Sequence, residues 1–495
     1  MVELQCDAVL VPTDAGGWVE APWAPLIGSA GRTRVNVEFS KDISAVPYGG
    51  AKAGPQVWLG NVGGDGSDVG MTDHAASRIA SVAEMFVQSA SRIAASDGLQ
   101  NRSRPIVALP LIGSGRGGAA EWIGTLVPTL IDALQAAAAE HDADVVLCLW
   151  NDLSWSAVQQ YRSTAQSWPL TEELEAVAST LAEHARSNDL VLFLGAGASA
   201  DAGLQNWKDL LESAAKRAGI SDDETKSLLE LDPRDAASII RFRLGDGSAL
   251  ADAVKAELNA DRFGLTHALL ASLRAPAAVT TNFDDLYERA VGRSQDRDRL
   301  SVLPYEPAAT GRPWLLKLHG DLDRNDLVFT RDDYLGAESN RAALFGIVQA
   351  LLVTKRLLFV GYSLSDEPFH RLVHQIKVAT GKADGTLGTA LVIDSPAWKD
   401  LWKSSIELVS TGPSGKEDVL DENARTLRVL LDRVAHLATD ISQHLLDPRY
   451  DGLLSDADRR VAAELRDLSA VASELTADSP LAVRIRAFLE SLGHG

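Results

Sequence analysis

Five short segments in the middle of the chain hold residue types that could do chemistry. Gly195-Ala196-Gly197-Ala198-Ser199 directly follows the apolar run Leu190–Leu194. Glycines at a strand end let a backbone approach a pyrophosphate, and a helix starting there favours the negative charge. Gly203-Leu-Gln-Asn-Trp207 comes next. Thr280-Thr-Asn-Phe-Asp284 closes a second apolar run, Lys317-Leu-His-Gly-Asp321 a third and Val360-Gly-Tyr-Ser-Leu364 a fourth. His319 carries the side chain whose ordinary pKa suits proton transfer near neutrality. Asn and Asp at a strand end are often turn formers, so Asn282 and Asp284 mean little alone. In an open parallel sheet, ligands bind at the carboxyl ends of the strands. All five segments could therefore converge on one crevice.

The elements that must position these residues follow an α/β rhythm. Candidate strands are residues 190–194, 277–281, 314–318, 357–360, 390–393 and 406–409, mostly separated by helical segments. That is the pattern of a doubly wound parallel sheet. Thr171 caps a helix running to Arg186, with Leu174, Val177 and Leu181 on its apolar face. Residues 208–262 read as a helical insert beside the crevice. Upstream, residues 7–12 (DAVLVP), 105–111 (PIVALPL) and 144–150 (DVVLCLW) read as buried strands, with a helical pattern over 119–141 in which Pro128 marks a kink or the true start. Strand, Gly-rich turn, helix, strand is a βαβ unit. After about residue 415 the pattern is helical and charged. The expected division is an α/β domain over 1–165, a second over 170–412 and a helical region over 413–495.

At 495 residues, about three domains are expected. Hydrophobic residues are 46% and charged residues 23%, which excludes a disordered or coiled-coil chain. No stretch approaches the roughly 20 apolar residues of a membrane span, and the N-terminus lacks a basic region of the secretory type. The net charge of −21, from 47 basic and 68 acidic residues, repels phosphate backbones and anionic lipid, so neither non-specific nucleic-acid binding nor membrane binding is expected. The two cysteines, Cys6 and Cys148, can make neither a disulfide framework nor a four-cysteine zinc site. A cytoplasmic location is the simplest expectation.

The order GAG-x-S, G-L-x-x-W, T-x-N-x-D, LHG and G-x-S over residues 189–410 resembles the sirtuin (silent information regulator) superfamily. The resemblance implies a Rossmann-type domain that takes NAD+ as substrate and cleaves its nicotinamide–ribose bond. It implies that Asn282 holds ribose hydroxyls and a water and that His319 is the general base. It places Gly195, Ala196, Gly197 and Ser199 at the diphosphate, Asp284 at the nicotinamide carboxamide, and Gly361 and Ser363 on the adenosine side. The pattern departs from the deacylase branch. No cysteine follows His319-Gly320, so the zinc module is absent, and Asn206 and Lys208 stand where deacylases carry Asp and Arg. The segment Phe329-Thr-Arg-Asp-Asp-Tyr334 resembles the non-deacylase branch, many of whose members consume NAD+ in bacterial anti-phage defence. Water is then the acceptor, and the products are nicotinamide and ADP-ribose or a cyclised ADP-ribose. The resemblance further implies a gated effector that depletes NAD+, assembles as a homo-oligomer and works beside a partner ATPase or helicase. The rival readings are a deacylase or ADP-ribosyltransferase, which requires an acceptor, and a non-catalytic NAD- or ADP-ribose-binding module.

Residues 107–118 (VALPLIGSGRGG) resemble the phosphate-binding loop of macrodomains, and residues 7–12 resemble an early macrodomain strand whose Asp reads adenine. Gly113, Gly115, Gly117 and Gly118 would let backbone N–H groups approach a diphosphate, and Arg116 could add charge. An ADP-ribose-type nucleotide is the ligand this implies. The usual Asn-Ala-Asn is missing at Thr13-Asp-Ala-Gly-Gly17, which argues for binding or scaffolding over hydrolysis.

Overall fold

The run Leu190–Leu194 is apolar at every position, and all five residues are buried. A strand covered on both faces belongs inside a parallel sheet. In the computed structural model it lies at the centre of one. The structure describes the chain except residues 41–42, 50–53, 64–71, 98, 100–101, 116–117, 166, 246, 295–299, 325, 381–385, 395–398, 477–478 and 495. The described chain divides into two compact units. One holds Met1–Val2, Cys6–Trp168 and Thr439–Gly495; the other holds Glu3–Gln5 and Pro169–Ala438. The residues after 413 are thus shared: the helix Glu417–Ala438 belongs to the second unit and everything beyond it to the first.

In the second unit, seven strands lie side by side in the order Ser301–Leu303, Trp314–Lys317, Ala277–Thr280, Leu190–Leu194, Arg356–Val360, Gly388–Val392, Ile406–Ser410. Every neighbouring pair is parallel. The chain builds one half of the sheet on one side of Leu190–Leu194, then crosses to Arg356–Val360 on the other. That reversal makes the end of Leu190–Leu194 the topological switch point, where a crevice opens in such sheets. Six of the strands coincide with the sequence expectation to within one or two residues at each end. Ser301–Leu303 is an additional strand, too short at three residues to show a period in the sequence. The helix Glu172–Arg186 starts where expected, with Leu174 N–H donating to Thr171 Oγ1 at 3.3 Å.

The insert is four helices, Trp207–Arg217, Asp222–Leu228, Pro233–Leu244 and Gly247–Glu257. Asn206, Ser221 and Asp232 cap the first three through side-chain oxygens. Leu210, Leu211, Ile240 and Val254 form their core, and Phe283 and Phe329 of the main domain reach into it. Phe283 follows Asn282, so the insert core grips the loop that carries a candidate site residue.

In the first unit, Gln56–Asn61, Ala8–Thr13, Ile106–Pro110 and Asp144–Cys148 pair in parallel, and Ala45–Tyr48, Trp18–Val19 and Thr33–Arg34 add antiparallel pairings to make a mixed seven-stranded sheet. The helix Ile123–Glu140 contains Pro128 in its interior, so the proline neither starts nor ends it. Part of the tail completes this unit. Tyr450 is fully buried and shares a hydrogen bond of 2.9 Å with Ser154. Its carbonyl oxygen lies 2.6 Å from where a Cβ on Gly124 would sit. No helix among the described residues is long and apolar enough to cross a membrane.

Candidate active site at the switch point

Thr280 and Lys317 are registered partners on adjacent strands. Asn282 and His319 each follow two residues later, so register brings both to the same end of the sheet. The turn after Leu190–Leu194 and the loop after Arg356–Val360 complete the rim.

These last two loops interlock. Gly195 N–H donates to Val360 O at 3.0 Å and Gly197 N–H to Gly361 O at 2.9 Å. Gly361 has φ +67°, and a Cβ on it would lie 2.0 Å from Ala198 N. A side chain at Gly195 would meet Gly361 O at 2.5 Å. The glycines therefore serve first to bring two strand ends into backbone contact. The N–H groups of Gly195 and Gly197, expected at a diphosphate, are engaged in that contact.

Asn282 is half-buried and held by its amide nitrogen. Nδ2–H donates to Gly195 O at 3.0 Å and to Ser199 Oγ at 3.1 Å. No described residue bonds its Oδ1, which is left as an acceptor at the crevice. Ser199 is buried. Its hydroxyl donates to Asp284 Oδ2 at 3.0 Å and stands 3.3 Å from His267 Nε2. Asp284 Oδ1 accepts from Leu286 N–H at 3.1 Å. Ser199 and Asp284, both expected on the ligand, are hydrogen-bonded to each other, and Ser199 also accepts from the Asn282 amide. Ser363 is exposed and pairs with Ser365 at 2.6 Å. Trp207 packs on Phe329 at 4.4 Å between ring centroids.

His319 is buried, 5% exposed. Its carbonyl accepts from Val328 N–H at 2.8 Å. Gly320 follows at φ +98°, and a Cβ there would come within 1.3 Å of Asp326 O, so only glycine fits after the histidine. Nε2 lies 3.3 Å from Asp366 Oδ2, and Nδ1 lies 3.5 Å from the Tyr334 hydroxyl. Tyr334 stands one turn into the helix Arg331–Asn340, which Thr330 caps in a capping box with Asp333. The T-x-x-x-Y spacing is thus a helix cap followed by a side chain on the histidine. Burial, with Asp366 as a lesser cause, holds the Tyr334 and Tyr362 hydroxyls above their ordinary range, so both remain phenols at neutral pH.

Beneath the rim, Lys317 is fully buried. Its Nζ donates to the carbonyls of Phe283 at 3.2 Å and Asp284 at 2.7 Å, and pairs with Glu288 at 3.0 Å and Asp321 at 2.7 Å. Burial pushes the ammonium down, but the two carboxylates together hold it above its usual range. Burial raises the Glu288 carboxyl against the pull of the same lysine. The sequence reading missed Asp366, His267, Lys317 and Glu288. Lys317 and Asp366 do lie two and three residues from His319 and Ser363, inside or beside segments already singled out. Among the described residues, no group of three or more His, Cys, Asp or Glu side chains could hold a metal ion.

The first unit has a cavity of about 590 Å3 at the carboxyl ends of its parallel strands, lined by Asp14, Arg32, Gly113, Gly115 and Trp150 among others. Gly118 is not part of that lining, and Arg116 and Gly117 lie outside the described residues. Asp7 is at the amino end of its strand, where its carboxylate accepts from Ile106 N–H at 2.7 Å and pairs with Arg102. It is remote from the cavity by topology, which corrects the expectation that it reads adenine.

The candidate site thus lies at the switch point of a parallel doubly wound sheet. Residues 276–404 match the family model described as SIR2-like domain. The chain is 27% identical over 203 residues to the NAD(+) hydrolase ThsA of Enterococcus faecium, covering 39% of this chain and 41% of that protein. It is 29% identical to the NAD(+) hydrolase ThsA of Cytobacillus dafuensis, over 39% of each chain. Against the defense-associated sirtuin 2 of Bacillus subtilis it is 23% identical, over 40% of this chain and 20% of that one. The chain spans about two fifths of the length of the two hydrolases.

Proposed function

We propose that the second unit hydrolyses NAD+ to nicotinamide and ADP-ribose. The observation that carries the reading is the setting of Asn282: both amide hydrogens are engaged within the protein, and Oδ1, with no bond to a described residue, is left as an acceptor on a fixed side chain. Cleavage of the nicotinamide–ribose bond releases a neutral base and develops positive charge on the ribose. Orientation and a proton acceptor are then what the site must supply. Asn282 holds a ribose hydroxyl or the attacking water, and His319 accepts the proton. The turn through Ala196 lies at the diphosphate, with Gly361 and Ser363 towards the adenosine. Ser199 and Asp284 act through Asn282, since their side-chain oxygens already have protein partners. Support also comes from the relatives that are named NAD(+) hydrolases.

Constant NAD+ cleavage would be toxic to its host, so the enzyme is latent until gated. Its companions are a second copy of the chain, a partner ATPase and a cytoplasmic setting, in a defence system that depletes NAD+. The cavity of the first unit would take an ADP-ribose-type nucleotide as the gating ligand, with its phosphates towards Gly113 and Gly115.

The test is to incubate the purified chain with NAD+, without an acceptor, with and without ADP-ribose, and to quantify nicotinamide, ADP-ribose and its cyclised form by chromatography. Release that His319→Ala and Asn282→Ala both abolish is the expected result. Release only when an acyl-peptide is added would replace hydrolysis with deacylation. Tight NAD+ binding without release in any arm would leave a binding module.

A further inference from the structure

The geometry assigns Asp366 to the proposed reaction as the residue that orients His319, leaving Nδ1 of that histidine as the atom that takes the proton. This inference rests on the hydrolase reading above.

A carboxylate only accepts, so Asp366 Oδ2, at an ion-pair distance of 3.3 Å from Nε2, favours the proton on Nε2 over Nδ1. A neutral imidazole has one N–H, so the lone pair is then on Nδ1. The only described side chain bonded to Nδ1 is Tyr334, at 3.5 Å, the far end of hydrogen-bonding range. A water or ribose hydroxyl can displace so long a contact. Asp366 is itself held. Tyr362 OH donates to the same Oδ2 at 3.4 Å, and the Tyr362 ring lies 4.6 Å from Phe193 and 5.6 Å from Phe369 in a buried aromatic cluster. Leu364, two residues before Asp366, has φ +55° and is almost wholly buried. A leucine in the left-handed region is strained, and such strain persists only where surroundings enforce it.

Topology makes the contact specific. The strand before His319 and the strand before Asp366 are three places apart in the sheet. At about 4.8 Å per strand, their ends are roughly 14 Å apart. A separation of 3.3 Å therefore needs both loops to lean over the two strand ends between them, above the switch point. In the step that follows, the water oxygen bonds to ribose C1′. The C1′–N bond breaks, and its electron pair leaves with nicotinamide. The water proton passes to Nδ1, and Asp366 stays ionised against the imidazolium.

The experiment uses the full chain with Asp366→Asn, Asp366→Ala and the milder Tyr362→Phe, each checked for folding by its thermal transition. Three quantities are read: kcat and KM for nicotinamide release, NAD+ affinity by calorimetry, and the imidazole tautomer from 15N-histidine spectra, with the His319 signal identified by its loss in His319→Ala. The expected result is a 100-fold or greater fall in kcat for both Asp366 variants, with KM and NAD+ affinity within about threefold. Tyr362→Phe should lose several-fold. The wild-type signal should be that of the Nε2–H form, and Asp366→Ala should lose that preference. Unchanged kcat, a rise in kcat (Asp366 would then be a latch holding His319 away) or an Nδ1–H wild type overturns the assignment. If the wild type binds NAD+ but releases nothing, the hydrolase reading fails separately, and the tautomer still decides the role of Asp366.

Discussion

Asn282 illustrates how a polar residue becomes a tool at the residue scale. Its nitrogen is tied down on two sides, so its oxygen points one way without further ordering cost. Ser199 is the hub of that arrangement. Ser199→Ala removes an acceptor from Asn282 and a donor from Asp284, both at least half-buried. Unpaired polar groups of this kind cost about 1–3 kcal/mol. The variant should unfold at lower temperature, and its nicotinamide release should fall while NAD+ still binds. Gly320→Ala is more severe, because its Cβ would overlap the Asp326 carbonyl and the backbone cannot keep φ +98° with a side chain. It should be recovered mostly as insoluble protein, and a soluble variant with full activity would contradict the loop geometry.

At the scale of elements, Lys317 ties two site loops together. One ammonium serves the carbonyls that follow Asn282, the helix residue Glu288, and Asp321 just beyond His319. Lys317→Met keeps the apolar stem and strands two carboxylates in the interior. Breaking such a pair from one side costs roughly 3–5 kcal/mol. In a unit of this size, a fall in Tm of about 10 °C is expected by scanning calorimetry. The helix Arg331–Asn340 offers a finer test. Thr330→Ala removes its cap, at a cost of about 1 kcal/mol, and loosens the turn that brings Tyr334 to His319.

At the scale of the whole molecule, the chain beyond Ala438 returns to complete the first unit. His444 is fully buried there, with Nε2 2.6 Å from Gln160 Oε1 and Nδ1 2.9 Å from Ser156 Oγ. Burial pushes its pKa down to about 4. An unfolded histidine takes up its proton near pH 6.5. Between these values the unfolded chain binds more protons than the folded one, so stability rises with pH from about 4 to 6.5 and is lost as pH falls. The shift corresponds to roughly 3 kcal/mol for complete protonation. Denaturant midpoints measured from pH 7 to pH 4.5 should fall in the wild type. They should fall less in His444→Gln, which keeps the polar contacts without the charge. A chain ending at Ala438 should lose the first unit's cooperative transition, because Tyr450 fills its core and Gly124 has no side chain to replace it.

The chain's own order of residues determined the parallel sheet, the strand ends and the position of Asn282 and His319 at one end of that sheet. Buried apolar runs, glycine turns and caps act over a few residues, so they can be read locally. The two-strand neighbour pair Ala277–Thr280 and Trp314–Lys317 adds register to that local signal. Tertiary structure alone decided three things: that Ser199 and Asp284 face inward, that Asp366 reaches His319, and that the last helices serve two different units. Each depends on which strands become neighbours and where the chain crosses between them. No local period encodes that choice, because it is made by the burial of whole elements against one another.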